Sequence, residues 1–126
     1  MSPESICELF AAFGPVAVRR LFGGAGIYAE GIMFALVHRG VIYLKADGQN
    51  AAAFEREGLG AFSYATREGS RALASYRRMP ARLYDDPEEL ATWARDAVAA
   101  ARRGTGRRIR NAGSKAKGGD AKRPLR

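Results

Sequence analysis

The chain has 126 residues, with 21 Lys and Arg against 13 Asp and Glu and a formal net charge of +8. This length predicts one compact domain and excludes a multidomain enzyme. Residues 1–103 hold 13 basic and 12 acidic side chains, a balance of +1, whereas residues 104–126 hold 8 and 1, a balance of +7. We therefore divide the sequence into a domain, 1–103, and a basic tail, 104–126.

The sequence excludes a membrane-spanning, a secreted and a zinc-binding protein. The longest apolar run, residues 32–37, has six residues, whereas a membrane-spanning helix needs about 20. Glu4 and Glu8 stand where a secretory signal carries basic and then apolar residues, so we expect a cytoplasmic protein. Cys7 is the single cysteine, and one cysteine with one histidine makes neither a disulfide nor a structural zinc site. We expect no metal and no cofactor.

The predicted elements begin with a helix over residues 3–13, because Ser2 can cap it and Pro3 suits its first position. Four β-rich runs separated by glycines follow, at 16–22, 26–30, 32–38 and 41–46. The pairs Glu30-Gly31 and Arg39-Gly40 have the length of two-residue hairpin loops. These signals predict an antiparallel meander.

The second half of the domain starts with a short helix over 51–57, ended by Gly58, and two further strands, 62–66 and 72–79. A capping box at 86–89 begins a long helix from Pro87 to about Arg103, with Gly104 as its cap. From residue 104 the chain has five glycines and no aromatic residue, and we expect it to be disordered. The fold class is α+β, with two layers.

The two hairpin loops fix which residues share a face of the sheet. Pairs around Arg39-Gly40 should sum to 79 and pairs around Glu30-Gly31 to 61, which places Ile27 beside Phe34. The face opposite the helices then carries a contiguous apolar patch, which indicates an interface. We predict a homodimer or a partner contact there, with Lys45 and a solvated His38 at its rim, through Ile27, Phe34, Leu36, Val41 and Tyr43.

Gly23, Gly24 and Gly26 invite interpretation as a phosphate-binding loop, because glycines let backbone amides approach an anion. No helix pattern follows them, and the Gly-Lys-Ser/Thr of a nucleotide-binding loop is missing. We interpret the segment as a turn in a sheet whose glycines serve the fold and an interaction surface, and Gly24→Val should destabilise the domain if Gly24 holds a positive φ. A small-ligand site or an uncharacterised enzyme using residues 23–26 is the alternative. No convincing acid/base pair is present in the sequence, so we expect no catalytic residue.

The basic tail can neutralise phosphates but has no aromatic side chain to stack on bases. We predict salt-sensitive, sequence-independent nucleic-acid contact, with a purely solubilising extension as the open alternative. The residues concerned are Arg107, Arg108, Arg110, Lys115, Lys117, Lys122, Arg123 and Arg126.

The strings VRRLFGGAGIY at 18–28, GIMFALV at 31–37 and YLKAD at 43–47, with Phe54, Leu90 and Trp93, carry a family resemblance over about residues 5–103. The sequence resembles the TfoX N-terminal domain family. The resemblance implies a two-layer, secretion-chaperone-like α+β fold without catalytic residues, and a regulatory role with a protein partner in transcription for DNA-uptake competence. We take its motif residues as an interaction surface: Arg20, Phe22, Gly23, Gly24, Gly26, Tyr28, Lys45 and Asp47.

Overall fold

The computed structural model describes residues 1–21 and 23–116, and at positions 64, 71, 74 and 105–116 it describes the backbone alone. The α+β class is confirmed. In chain order the elements are α1 (Pro3–Leu9), β1 (Ala17–Leu21), β2 (Gly24–Ala29), β3 (Ile32–His38), β4 (Val41–Lys45), α2 (Ala51–Arg56), β5 (Ala61–Thr66), β6 (Gly69–Arg78), a 3-10 helix (Ala81–Asp85) and α3 (Pro87–Ala116).

The six strands form one antiparallel sheet in the order β1-β2-β3-β4-β6-β5. Helix α3 packs on β3 and β4, and α1 joins the same core. We call the covered side of the sheet the helix side and the opposite one the open side. Phe10, Phe34, Ile42, Leu44 and Leu90 are fully buried between the helices and the sheet, so the main core lies on the helix side.

The predicted N-terminal caps of α1 and α3 are both confirmed. The backbone N–H of Ser5 donates to Ser2 Oγ at 3.1 Å, and that of Glu89 donates to Asp86 Oδ1 at 3.1 Å. Each bond satisfies a donor that the first helical turn leaves free. Helix α1 ends at Leu9, earlier than expected, and continues as turns to residue 13.

The predicted end of the last helix at Arg103 is wrong, because α3 continues through Gly104 to Ala116. Gly104 has no positive φ and therefore does not act as a left-handed cap. A glycine inside a helix costs only about 1 kcal/mol relative to alanine, and the next proline is Pro124. The backbone of 104–116 is thus helical rather than irregular. Residues 117–126 lie outside the described residues, and the division into domain and tail stays a prediction.

The register around Arg39-Gly40 is confirmed. Leu36 faces Tyr43, and φ is 52° at Arg39 and 77° at Gly40, the left-handed conformation that a two-residue hairpin loop of this kind needs. Positive φ values at Glu30 (54°) and Gly31 (79°) make the second hairpin in the same way. Both loops therefore lie where the sequence placed them.

The predicted pairing of Ile27 with Phe34 is wrong. The register of β2 and β3 shifts between Ile27 and Tyr28, so Ile27 faces Ala35. The bulge turns Phe34 to the helix side, where its ring centroid lies 5.6 Å from that of Phe10. Ile27 and Phe34 are both fully buried in the core and leave the predicted apolar patch.

The β5–β6 hairpin curls over the open side. Strands β3 and β5 are three positions apart in the sheet, about 14 Å if the sheet were flat, yet the rings of His38 and Phe62 lie 5.2 Å apart. The register between β5 and β6 jumps from Ala61↔Arg77 to Phe62↔Leu73 and so skips residues 74–76. This irregularity allows the outer half of the hairpin to bend across β4 and β3.

Candidate binding site on the open side of the sheet

A cavity of about 560 Å³ lies between the open side of the sheet and the β5–β6 hairpin. Gly24, Leu36 and His38 line it from the sheet, and Phe62 and Leu73 line it from the hairpin. Phe62 is 5% exposed, whereas Leu73 is 39% exposed. A concave, largely apolar site of this volume has the size of a small-molecule pocket.

Glycines bring bare backbone to the open side of β2. A β-carbon on Gly24 would lie 2.0 Å from the carbonyl oxygen of Val37, and one on Gly26 would lie 2.8 Å from Met33 Sδ. The condition of a positive φ is not met at Gly24, whereas Gly23 has a φ of 76°. Gly24 is required by the close approach of β3, while Gly23 is required by the turn.

Two cation–ring pairs lie on the same side of the sheet. The guanidinium carbon of Arg19 lies 5.0 Å from the ring centroid of Tyr28, and Lys45 Nζ lies 4.9 Å from that of Tyr76. Each pair gains from the attraction of a cation to a ring face. Tyr76 also lines the cavity, so the motif residue Lys45 lies beside the cavity lining.

The remaining motif residues lie elsewhere. Arg20 is exposed and pairs with Ala25, which packs against the core. Phe22 lies outside the described residues. Asp47 follows β4 and binds α3. The structure therefore brings Gly24, Gly26, Tyr28 and Lys45 to one side of the sheet, but the eight predicted residues do not form a single surface.

Asp47 is a structural junction. Its carboxylate accepts two hydrogen bonds from Arg103, from Nε to Oδ2 at 2.6 Å and from Nη2 to Oδ1 at 2.9 Å, and a third from the backbone N–H of Gln49. The Arg103 guanidinium lowers the pKa of the Asp47 carboxyl to about 2, and the pKa of Arg103 is raised in turn. This bidentate pair ties α3 to the end of β4.

A second ionic cluster joins α2 to α3. Arg82 Nη2 lies 2.5 Å from Glu57 Oε2, and Arg82 Nη1 lies 2.7 Å from Glu89 Oε1. Glu89 also accepts from Trp93 Nε1 at 3.2 Å, and the hydrogen bonds from Arg82 and Trp93 lower the pKa of Glu89. The Trp93 ring packs edge-on against Phe54 at 5.0 Å. We interpret this cluster as support for the helix packing.

The structure corrects the environment of His38, which was expected to be solvated. Its side chain is half-buried against Phe62.

Within residues 1–21 and 23–116, no group of three or more His, Cys, Asp or Glu side chains is placed to hold a metal ion. In the same described segments, no helix is long and apolar enough to cross a membrane.

Of the predicted nucleic-acid contacts, the backbone of four lies within α3: Arg107, Arg108, Arg110 and Lys115. The other four lie outside the described residues: Lys117, Lys122, Arg123 and Arg126. Their contact with nucleic acid stays a prediction.

Sequence reasoning missed the hairpin side of the cavity. The β5 and β6 runs were predicted as strands, but no pattern indicated that Phe62 and Leu73 would lie over β3. Arg103 was named only as the approximate end of the last helix, and its pairing with Asp47 across 56 positions has no local signal. For this ion pair the sequence offered one signal: the string Tyr-Leu-Lys-Ala-Asp ends on the acidic residue Asp47 just after a strand.

Comparison with known protein families finds a match over most of the chain. The family model described as the TfoX N-terminal domain matches residues 8–101, which are 94 of the 126 residues and include every strand of the sheet. A search of curated proteins finds no match.

Proposed function

Because the chain belongs to the TfoX N-terminal domain family, we propose that it is a non-enzymatic interaction domain acting in the regulation of transcription for DNA-uptake competence. In this proposal the domain binds a protein partner and α3 carries a basic segment to nucleic acid. The observation that carries it is the charge division, +1 over residues 1–103 and +7 over residues 104–126. The positive segment follows directly on the family domain.

The course of α3 supports this arrangement. Arg103 is paired with Asp47 and Arg102 with Glu30, so the helix is attached to the sheet on the turn that precedes the basic segment. The helical backbone then continues over residues 104–116, 13 residues, which span about 20 Å at 1.5 Å per residue. A basic helix attached at one end presents its charges with less loss of entropy on binding than a disordered tail.

The predicted homodimer stays a prediction. Of the residues proposed for it, Leu36, Val41 and Tyr43 remain on the open side, and Leu36 is 8% exposed beneath the hairpin. Tyr43 packs against Phe62 with ring centroids 4.7 Å apart. The surface left for a second copy on this side is thus smaller than the sequence indicated.

The nucleic-acid part is tested by salt-dependent binding of the full chain to two unrelated 20-base-pair duplexes, measured by fluorescence anisotropy. We expect the logarithm of the association constant to fall linearly with the logarithm of salt concentration, with a slope of about −0.9 for each phosphate neutralised. Both duplexes should bind equally, because no base-reading side chain is invoked.

The decisive comparison is between two triple variants of equal net charge. Arg107, Arg108 and Arg110 changed to Gln should make the slope shallower by up to about 3, while glutamine keeps good helix propensity. The control changes Arg39, Arg56 and Arg67, all exposed on the domain, to Gln and should keep the wild-type slope. A flat salt response, or an equal loss in both variants, would remove the basic segment from the proposal.

A further inference from the structure

The cavity on the open side is an independent feature that the nucleic-acid proposal does not use. Among the residues whose side chains the structure describes, its lining is apolar apart from His38 and Tyr76. Leu21 and Met33 border it from the sheet, although β1 and β6, the strands of Leu21 and Leu73, are four positions apart, about 19 Å in a flat sheet. Only the curled hairpin brings these side chains around one space.

The bare backbone of β2 helps to keep this space open. Gly24 cannot carry a side chain because a β-carbon would lie 2.0 Å from the carbonyl oxygen of Val37. The β-bulge also places the Phe34 side chain on the helix side, where it does not fill the cavity. The cavity therefore depends on a glycine and on a shifted register, and not on loose packing of the main core.

The size of the cavity indicates whether it binds a small molecule or the surface of another protein. Pockets for small ligands measure about 300–1,000 Å³, and this cavity measures about 560 Å³. A standard protein interface buries about 800 Å² on each partner, far more than a concavity of this volume between Leu36 and Phe62 can offer. The shape fits a molecule that enters, not a surface that docks.

We propose that this cavity binds a small, largely apolar molecule, an aromatic ring system or a short acyl chain, with one polar group that hydrogen-bonds to His38. The imidazole of His38 has no hydrogen bond to another described residue. Its edge-on contact with Phe62 fixes the ring at the boundary of the sheet and the hairpin. Leu73, partly exposed at the hairpin, covers the ligand from the other side.

Binding is tested on the full chain with N-phenyl-1-naphthylamine, whose fluorescence rises in an apolar site. This probe is neutral, so the basic segment does not attract it. Leu73→Asp places a charge on the cavity lining and should weaken binding at least tenfold. Ala72→Asp, on the neighbouring exposed residue whose side chain alternates to the other face of β6, should change affinity less than twofold.

The polar end is tested by competition. 2-Naphthol should displace the probe about five times better than naphthalene, the gain of one hydrogen bond of about 1 kcal/mol. His38→Phe keeps a ring against Phe62 but cannot make that bond, and the preference should fall below twofold. Thermal melting of each variant checks that the fold is kept.

Three results overturn the proposal. They are no fluorescence rise with the wild-type chain, equal losses in Leu73→Asp and Ala72→Asp, or a 2-naphthol preference that survives His38→Phe. Loss of the probe signal at protein concentrations where sedimentation shows a dimer would also overturn it, because a second copy of the chain would then cover the cavity.

Discussion

The helix side and the open side of the same sheet are built differently. On the helix side, Phe34, Ile42 and Leu44 have no exposed surface and pack against α1 and α3. On the open side, β2 contributes Gly24 and Gly26, and the covering hairpin leaves a cavity of about 560 Å³. The first side is filled for stability, while the second keeps a space that a ligand can enter.

One irregularity explains both sides. With an unbroken register, Ile27 and Phe34 would lie on the open side, where their side chains would occupy the space near Leu36. The bulge between β2 and β3 moves them to the helix side, so it completes the core and empties the cavity at the same time. The comparison therefore predicts losses of stability of different size for two residues of β3.

The largest effect is expected at Phe34. Phe34→Ala should lower the free energy of unfolding by about 4 kcal/mol, because it removes a fully buried ring that contacts Phe10 and Phe13. Leu36→Ala, at the edge of an existing cavity, should cost about 2 kcal/mol, the low end for such truncations. Urea denaturation of both variants measures the difference. Equal losses would contradict the division into a packed side and an open side.

Gly24 comes next. Gly24→Val should cost about 3 kcal/mol, since its β-carbon would overlap the carbonyl oxygen of Val37 and push β2 from β3. Gly23→Ala meets no atom within 4 Å and pays only for its φ of 76°, about 1 kcal/mol. Denaturation curves compare the two glycines. A Gly24→Val chain as stable as Gly23→Ala would show that the strands separate without penalty.

The sequence predicted the features of the sheet that depend on local signals and missed the one that depends on a bulge. Caps, hairpin loops and apolar alternation are local signals, and they placed the Arg39-Gly40 hairpin and the pairs Leu36–Tyr43 and Ala35–Leu44 correctly. A β-bulge inserts one residue without a residue type that marks it, so the positions of Ile27 and Phe34 could not be read from the pattern.

The candidate site was predictable only in part. The glycine string drew attention to β2, and Gly24 and Gly26 do lie on the open side. The curl of the β5–β6 hairpin depends on a register jump near Phe62 and on contacts with β3, which are distant in the chain. At Gly104 the error is of another kind: a local signal for a helix end was present in the sequence, but α3 continues through it.

The smallest effect is expected at the ion pair that fastens α3 on the helix side. Asp47 is 13% exposed and Arg103 30% exposed at the side chain. Asp47→Asn keeps the acceptor for Gln49 but removes the charge, and should lower the free energy of unfolding by about 1 to 2 kcal/mol at pH 7. Glu30→Gln is the control, because its pair with Arg102 is mostly exposed and should contribute a few tenths of a kcal/mol, about the value of surface pairs.

The pH dependence of this pair has a definite sign. The pKa of the Asp47 carboxyl is about 2 in the folded chain and about 3.9 in an unfolded one. The stabilisation is therefore complete above pH 4 and is lost as the pH falls through about 2, because the unfolded state then binds the proton more readily. Urea denaturation between pH 7 and pH 2 should show the difference between wild type and Asp47→Asn constant down to about pH 4 and shrinking below it. A difference that stays unchanged to pH 2 would mean that the carboxylate charge does not hold α3 against the sheet.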